Sequence, residues 1–260
     1  MIAFEQIKTW FPENFQQKQY ARFILREYLQ FQILDFLSNS KYAQHLCFIG
    51  GTNLRLIHGI DRFSEDLDFD HKDFLRTDFI TLTNSIILFL KKSGYNVSAD
   101  DKEKDKDLKA FRRSIVFPEF LFQHNLSPFK DEKFLIKFES QNQGINYTPE
   151  KTLLRGCGFI FHLNTPPLPV LCSMKISALM NRSKGRDFFD TMFLLGKTDP
   201  DYGFLSETIG VHNKLELKQA LLSLNEKVNI RHKSKDFEHL LFNSAYSNRI
   251  LLFKDFAEAW

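Results

Sequence analysis

Between Asp66 and Asp70 the chain reads Asp-Leu-Asp-Phe-Asp, an acid and a large apolar residue in strict alternation. A period of two belongs to an extended strand, whose successive side chains leave opposite faces; a helix would scatter these acids around its circumference. As a strand, the segment turns Leu67 and Phe69 to a core and sets Asp66, Asp68 and Asp70 along the other face, neighbours about 6.5–7 Å apart. Like charges at that spacing repel. Two arrangements tolerate them: the solvated face of an edge strand, or hard divalent cations held by the carboxylate oxygens. A calcium loop is excluded, because counting from Asp66 its sixth-position glycine falls on His71 and its twelfth-position glutamate on Thr77.

Just upstream, His45-Leu-Cys-Phe-Ile-Gly-Gly is a short apolar run closed by two glycines, the pattern of a buried strand entering a tight turn, and a short helix is expected over Thr52–Ile57. Glycine lets a backbone approach a phosphate closely, and a helix N-terminus offers unpaired N–H groups to an anion. Gly50-Gly51-Thr52 alone is most often only a turn. Beside an Asp-x-Asp strand it reads as a phosphate cradle next to a cation site.

The rest of the chain divides by periodicity. Residues 15 to 38 place Phe15, Tyr20, Phe23, Ile24, Leu34, Phe36 and Leu37 at helical spacing, and Phe79 to Lys92 is helical again. Ser114–Phe117 and Phe134–Phe138 read as strands. Asp100 to Lys109 alternates charge signs with almost nothing apolar and reads as a solvated loop or hairpin tip. Thr165-Pro-Pro-Leu-Pro continues neither a helix nor a central strand, and the chain beyond it is helical nearly to the end. The fold class is therefore α+β, followed by a mainly α-helical C-terminal region. Twenty-nine phenylalanines in 260 residues supply a core of aromatic volume.

Charge excludes little. Acids and bases balance over residues 1–148, so the net +3 arises entirely within 149–260. Cys47, Cys157 and Cys172 are few, scattered and without a Cys-x-x-Cys pair, which argues against a disulfide framework or a thiolate zinc site. No cationic leader with an apolar run and no apolar stretch of about 18 residues is present, so a cytoplasmic protein without membrane contact is expected.

Phe48-Ile-Gly-Gly-Thr-Asn-Leu-Arg-Leu-Ile-His-Gly-Ile-Asp-Arg-Phe-Ser-Glu-Asp-Leu-Asp-Phe69 resembles the first motif of the AbiEii/AbiGii-type nucleotidyltransferase toxins, within the DNA polymerase β-like superfamily. Lys175-Ile-Ser-Ala-Leu-Met-Asn-Arg-Ser-Lys-Gly-Arg-Asp-Phe-Phe-Asp190 is similar to the family's Lys-x-x-Ala-Leu-x-x-Arg-x-Lys-x-Arg-Asp signature. The resemblance covers roughly residues 40 to 200. It implies a nucleotidyltransferase domain over 1–148, with a mixed β-sheet flanked by helices, and a mainly helical domain over 149–260 that contributes phosphate-binding Lys and Arg.

The resemblance further implies Asp66 and Asp68 as catalytic metal ligands for Mg²⁺ or Mn²⁺, with Glu139, in Lys137-Phe-Glu139, as a third carboxylate. The NTP co-substrate would lie on Gly50, Gly51 and Thr52, with Arg62, Ser64, Lys175 and Arg182 about its phosphates. On one helix Lys175, Leu179, Arg182 and Arg186 form an i, i+4, i+7, i+11 stripe, which is equally a solvated basic face. Gly185 is expected to end that helix and to leave Asp187 in the first turn of the next, where it is either catalytic or a cap and partner for Arg186 or Lys175. His58 stands where the family favours Tyr and is read as packing. The implied acceptor is RNA, a tRNA 3′ end, and the implied setting a toxin–antitoxin or abortive-infection system with a cognate antitoxin. Three alternatives remain: a small-molecule or protein hydroxyl as acceptor, a nucleotide-binding module without turnover, and a metal nuclease, against which the Gly-Gly turn argues.

Overall fold

The acid–apolar alternation forms β2 (Leu67–His71), an inner strand of a five-stranded sheet. On one side β1 (Leu46–Ile49) pairs with it antiparallel; on the other β5 (Leu135–Gln141) runs parallel to it. β4 (Ala110–Val116) pairs antiparallel with β5, and β3 (Ser98–Asp100) closes the edge, so the sheet is mixed. This computed structural model describes residues 2–100 and 110–260; of the charge-dense stretch, Asp100 ends β3 and the remainder lies outside the described residues.

The sheet belongs to the first of two compact units, made of residues 1–57, 64–143 and 150–165. One of its faces is aromatic: Phe48, Phe69 and Phe138 lie in a row, with Phe69 and Phe138 stacked 4.8 Å apart. The helix α4 (Arg76–Lys92) covers this face through Phe79, which meets both Phe111 and Phe138. Each fully buried phenylalanine stabilises the unit by roughly 1.5–3 kcal/mol, which is how the phenylalanine-rich composition is used. The helix α2 spans Ala21–Ser38, so it starts later than the periodicity suggests. The short helix α1 (Phe4–Lys8) and 3₁₀ turns at Glu13–Phe15 and Lys18–Tyr20 precede it, α5 (Phe120–Gln123) follows β4, and Phe15 and Tyr20 pack edge to face 5.5 Å apart.

A second sheet was not visible in the sequence pattern: β6 (Glu150–Gly156) and β7 (Phe159–Thr165) form an antiparallel hairpin. Its inner face buries Leu154, Phe161 and Leu163, while Leu153 and Ile160 point outward and are more than half exposed. Apolar residues on both faces erase the alternation that announces a half-buried strand. The turn is Gly156-Cys157-Gly158, with Cys157 at φ 50° and Gly158 at φ 81°.

The second unit comprises residues 58–63, 144–149 and 166–260. After Pro167 it is helical: α6 (Leu168–Arg182), α7 (Gly185–Leu195), α8 (Tyr202–Ile209), α9 (Lys214–Lys227), α10 (Ile230–Lys235) and α11 (Phe253–Ala259). Asp201, Asn213 and Asn229 cap α8, α9 and α10 by accepting from first-turn N–H groups. Its core includes Phe188 against Phe253 and Phe189 against Phe237. The segment 58–63 is bound here through a bridge from Arg62 to Leu241 and a hydrogen bond from the Phe63 N–H to the Leu240 carbonyl. No helix among the described residues is long and apolar enough to cross a membrane. The molecule is thus α+β in class, with its helix-only portion after the proline break, as the sequence pattern indicates.

Candidate active site

Ile49, the last residue of β1, lies opposite Asp68 of β2, and the chain then reverses at Gly50 with φ +83° into α3 (Gly50–Leu56). A Cβ on Gly50 would fall 2.2 Å from Asp68 Oδ2. The carboxylate therefore lies directly against the backbone of the turn, an approach open only to glycine. The next residues lash the turn to the strand ends: the Thr52 hydroxyl donates to the Asp66 carbonyl, and Asn53 Nδ2 donates to the Phe48 carbonyl at 2.7 Å. The strand begins at Leu67, so Asp66 stands at its entrance and Asp68 within it.

Leu67 and Phe69 are buried, which leaves Asp66 and Asp68 on the face away from the aromatic row. The parallel register sets Glu139 beside Asp68, and the antiparallel one sets Arg112 beside Glu139. Lys137 Nζ is 3.8 Å from Asp66 Oδ2, and Arg112 Nε is 3.1 Å from Glu139 Oε2. Both ion pairs are partly exposed, so each contributes at most about 1 kcal/mol; their role is to relieve repulsion among three acids on adjacent strands. Asp70, at the far end, is buried, and its Oδ1 accepts from the Gln143 N–H at 2.9 Å. Ser64 offers its carbonyl to Gln30 Nε2 at 3.1 Å. Beside Asp66, Arg26 pairs with Glu65 at 2.8 Å. Burial lowers the Arg26 pKa, and the charges of Glu65 and Asp66 oppose that shift.

Among the described residues no three His, Cys, Asp or Glu side chains gather closely enough to hold a metal ion by themselves. The donor set is instead a carboxylate pair, Asp66 and Asp68, with Glu139 shared with Arg112. That set fits Mg²⁺ or Mn²⁺ arriving with a nucleotide, since Mg²⁺ keeps several waters and binds through one or two carboxylates plus substrate phosphate oxygens.

The other candidate residues lie in the second unit, where each has a partner. Arg62, 1% exposed, grips Asp190 with two hydrogen bonds of 2.7 Å and donates a third to the Phe63 carbonyl at 3.0 Å. Lys175 Nζ donates to the same Asp190 Oδ2 at 2.9 Å. Complete burial pushes the Asp190 pKa up, but the two cations outweigh it and hold the carboxyl below the usual carboxylate range. Asp187 takes two hydrogen bonds from Arg182, at 2.8 and 2.9 Å, and caps α7 by accepting from the Lys184 N–H. Its partner is thus Arg182 on the preceding helix, neither Arg186 nor Lys175; α6 ends at Arg182 with Ser183 at φ 48°, not at Gly185, so Arg186 falls on α7 and the expected four-residue stripe on one helix does not form. Asp190 carried no local signal in the sequence beyond its place three residues after Asp187. His58 is partly buried, its pKa lowered by that burial and by Lys197 nearby.

A family model described as "Nucleotidyl transferase AbiEii toxin, Type IV TA system" matches residues 32–258. No curated protein matches the chain. Among solved structures, MenT4, a nucleotidyltransferase toxin from Mycobacterium tuberculosis, is similar with a TM-score of 0.58 at 15% identity, over 100% of this chain and 91% of that one. JHP933 from Helicobacter pylori is similar at 0.54 and 19% identity, over 91% of this chain and 90% of its own. A putative nucleotidyltransferase from H. pylori gives 0.54 and 20% identity, over 91% and 93%. At such identities the likeness speaks for the fold.

Proposed function

The chain belongs to the AbiEii nucleotidyl transferase toxin family, a toxin nucleotidyltransferase, and from that premise we propose that it moves a nucleoside monophosphate from an NTP onto RNA, at a tRNA 3′ end. The observation that carries the proposal is the Asp68 carboxylate seated against Gly50. A ligand of a nucleotide-borne cation thereby adjoins a backbone that a phosphate can approach.

Asp66 and Asp68, supported by Glu139, would hold the divalent cation. When bound, that ion supplies charge neutralisation at the triphosphate and acidifies the acceptor hydroxyl. The residues' own work is positional. The Gly50-Gly51-Thr52 turn receives the triphosphate, and the Thr52 hydroxyl, bonded to the Asp66 carbonyl, keeps the turn and the acids in fixed relation. Fixed polar groups of this kind favour the transfer because they need no reorganisation as charge develops at the α-phosphorus. Lys175 and Arg182 would contact phosphate, a reading supported by their likeness to the family's second motif; Arg62 acts through Asp190, which it orients and which in turn holds the Lys175 ammonium. Ser64 supports the entrance to the acid strand. Expression in the cytoplasm beside a cognate antitoxin completes the reading.

The test is transfer of label from each of the four α-³²P-NTPs to purified tRNA, with wild type, Asp66→Ala and Asp68→Ala. Wild type labels RNA and releases pyrophosphate; both variants, folded by circular dichroism, do neither. Equal labelling by all three proteins removes the acids from catalysis. Label appearing on protein or on a small molecule reassigns the acceptor, and nucleotide binding without pyrophosphate denotes a module without turnover.

A further inference from the structure

Between the segment that follows α2 and the β6–β7 hairpin the first unit carries a wide-mouthed cavity of about 450 Å³, open to solvent and lined among others by Ser40, Lys41, Gln44, Lys151, His162 and Asn164. Among the described residues no carboxylate lines it. Lys151 and Asn164 are paired in the hairpin register, and His162, paired with Leu153, stands on the same outer face two pairs along. Arg155 continues that face. Neither Lys41, Lys151 nor Arg155 has an ion-pair partner among the described residues. The Lys41 ammonium is held only over the ring of Tyr42, at 5.0 Å. Two ammonium groups, Lys41 and Lys151, with amides and hydroxyls between them, thus border one concavity without a paired carboxylate among the described residues, and Arg155 extends the same hairpin face beyond it.

We propose that this cavity is a second anion site, which takes a phosphate ester of the RNA strand on which the enzyme acts. Lysine, serine, asparagine and glutamine are the side chains that hold phosphodiester oxygens without reading sequence. The cavity's volume lies in the range of sites for a single small group, whereas a protein partner would need a face of roughly 800 Å². Its place fits a strand entering the acid site. Gln44 lies six residues before Gly50, a segment that includes all of β1, so the Gln44 side of the cavity lies at most about 20 Å from the turn beside Asp68. Leu153 and Ile160, exposed on the same hairpin face, offer apolar surface to a sugar or base alongside the cations. The inference rests on RNA being the acceptor, and it adds to that reading the place where the strand is held away from its reacting end.

The experiment measures fluorescence anisotropy of a single-stranded RNA labelled at its 5′ end and carrying a free 3′-hydroxyl, with the full chain and no NTP. Lys41→Ala combined with Lys151→Ala is compared with Lys91→Ala combined with Lys92→Ala, which changes net charge equally. The cavity pair is expected to weaken binding about tenfold and to reduce the slope of log affinity against log salt by about 1.4, the loss of two phosphate contacts on a single strand. The control pair binds within about twofold of wild type, and thermal melting shows all proteins folded. Equal affinity of the two double variants overturns the proposal. So does competition by inorganic phosphate or free NTP that is lost in the cavity pair while RNA binding stays intact, because the site then serves free phosphates. Wild type that binds no RNA, and transfers no label to it once an α-³²P-NTP is added, refutes the RNA acceptor itself; wild type that transfers label from the added NTP while the cavity pair binds the RNA normally refutes the second site alone.

Discussion

At the scale of single residues, two positions bear the most. Gly50 has a positive φ and no room for a methyl group, because Asp68 Oδ2 already occupies it. Gly50→Ala is expected to destabilise the protein by roughly 1–3 kcal/mol through backbone strain, and to lower nucleotidyl transfer by about a hundredfold, the usual penalty for displacing a reacting group by an ångström. Paired urea titration and label transfer read the two effects separately; unchanged transfer would dissociate Asp68 from the turn. Asp190 is the second. Asp190→Asn leaves Arg62 and Lys175 buried without their counter-charge and is expected to cost about 3–5 kcal/mol. Because the folded carboxyl titrates below its unfolded value, its stabilisation is complete above an unfolded pKa of about 3.9 and is lost as pH falls through the folded one. The gap in urea midpoint between wild type and Asp190→Asn should therefore be full at neutral pH and narrow only under acid conditions below about pH 4. The acid strand and the glycine turn were legible because each is a local pattern of a few residues. The bond from Arg62 to Asp190 was not, since it joins positions 128 apart and leaves no periodicity in between.

At the scale of elements, α7 shows how a carboxylate builds an N-terminus. The Lys184 N–H donates to Asp187, and the Gly185 N–H donates to Asp236 at 3.1 Å from both oxygens, so two donors of the opening turn are satisfied by charge. Asp187→Ala loses a cap and a double hydrogen bond from the half-exposed Arg182, a loss of about 1–3 kcal/mol. For a chain of this length that lowers Tm by about 2–4 °C per kcal/mol. If Asp187 works only as this support, Asp187→Asn retains transfer per folded molecule while Tm falls; loss of transfer with Tm intact assigns it to chemistry. The break between α6 and α7 falls at Ser183, whose φ is 48°, two residues before the glycine expected to make it; Gly185 opens α7 and serves close packing, since an added Cβ would meet the Lys233 carbonyl at 2.0 Å. The β6–β7 hairpin was hidden because its outer face is apolar at Leu153 and Ile160.

At the scale of the whole molecule, the chain passes from one unit to the other at residues 57–58, 63–64, 143–144, 149–150 and 165–166. Cutting after Thr165 would strip Arg62 and Phe63 of Asp190 and Leu240. A fragment of residues 1–165 is accordingly expected to be insoluble or to lack a cooperative melt, although it carries all five strands of the mixed sheet; a soluble fragment with a sharp transition would show that segment 58–63 is dispensable. The α+β class was legible from periodicity switching at the proline break, but the itinerary was not, because nothing in a local pattern records where the chain returns. That itinerary also bears on synthesis. A ribosome adding roughly 5–20 residues per second delivers Asp190 about 6 to 26 seconds after Arg62. For that interval the guanidinium must stay in water or with a chaperone, so the second unit closes only when translation is well past two-thirds of the chain.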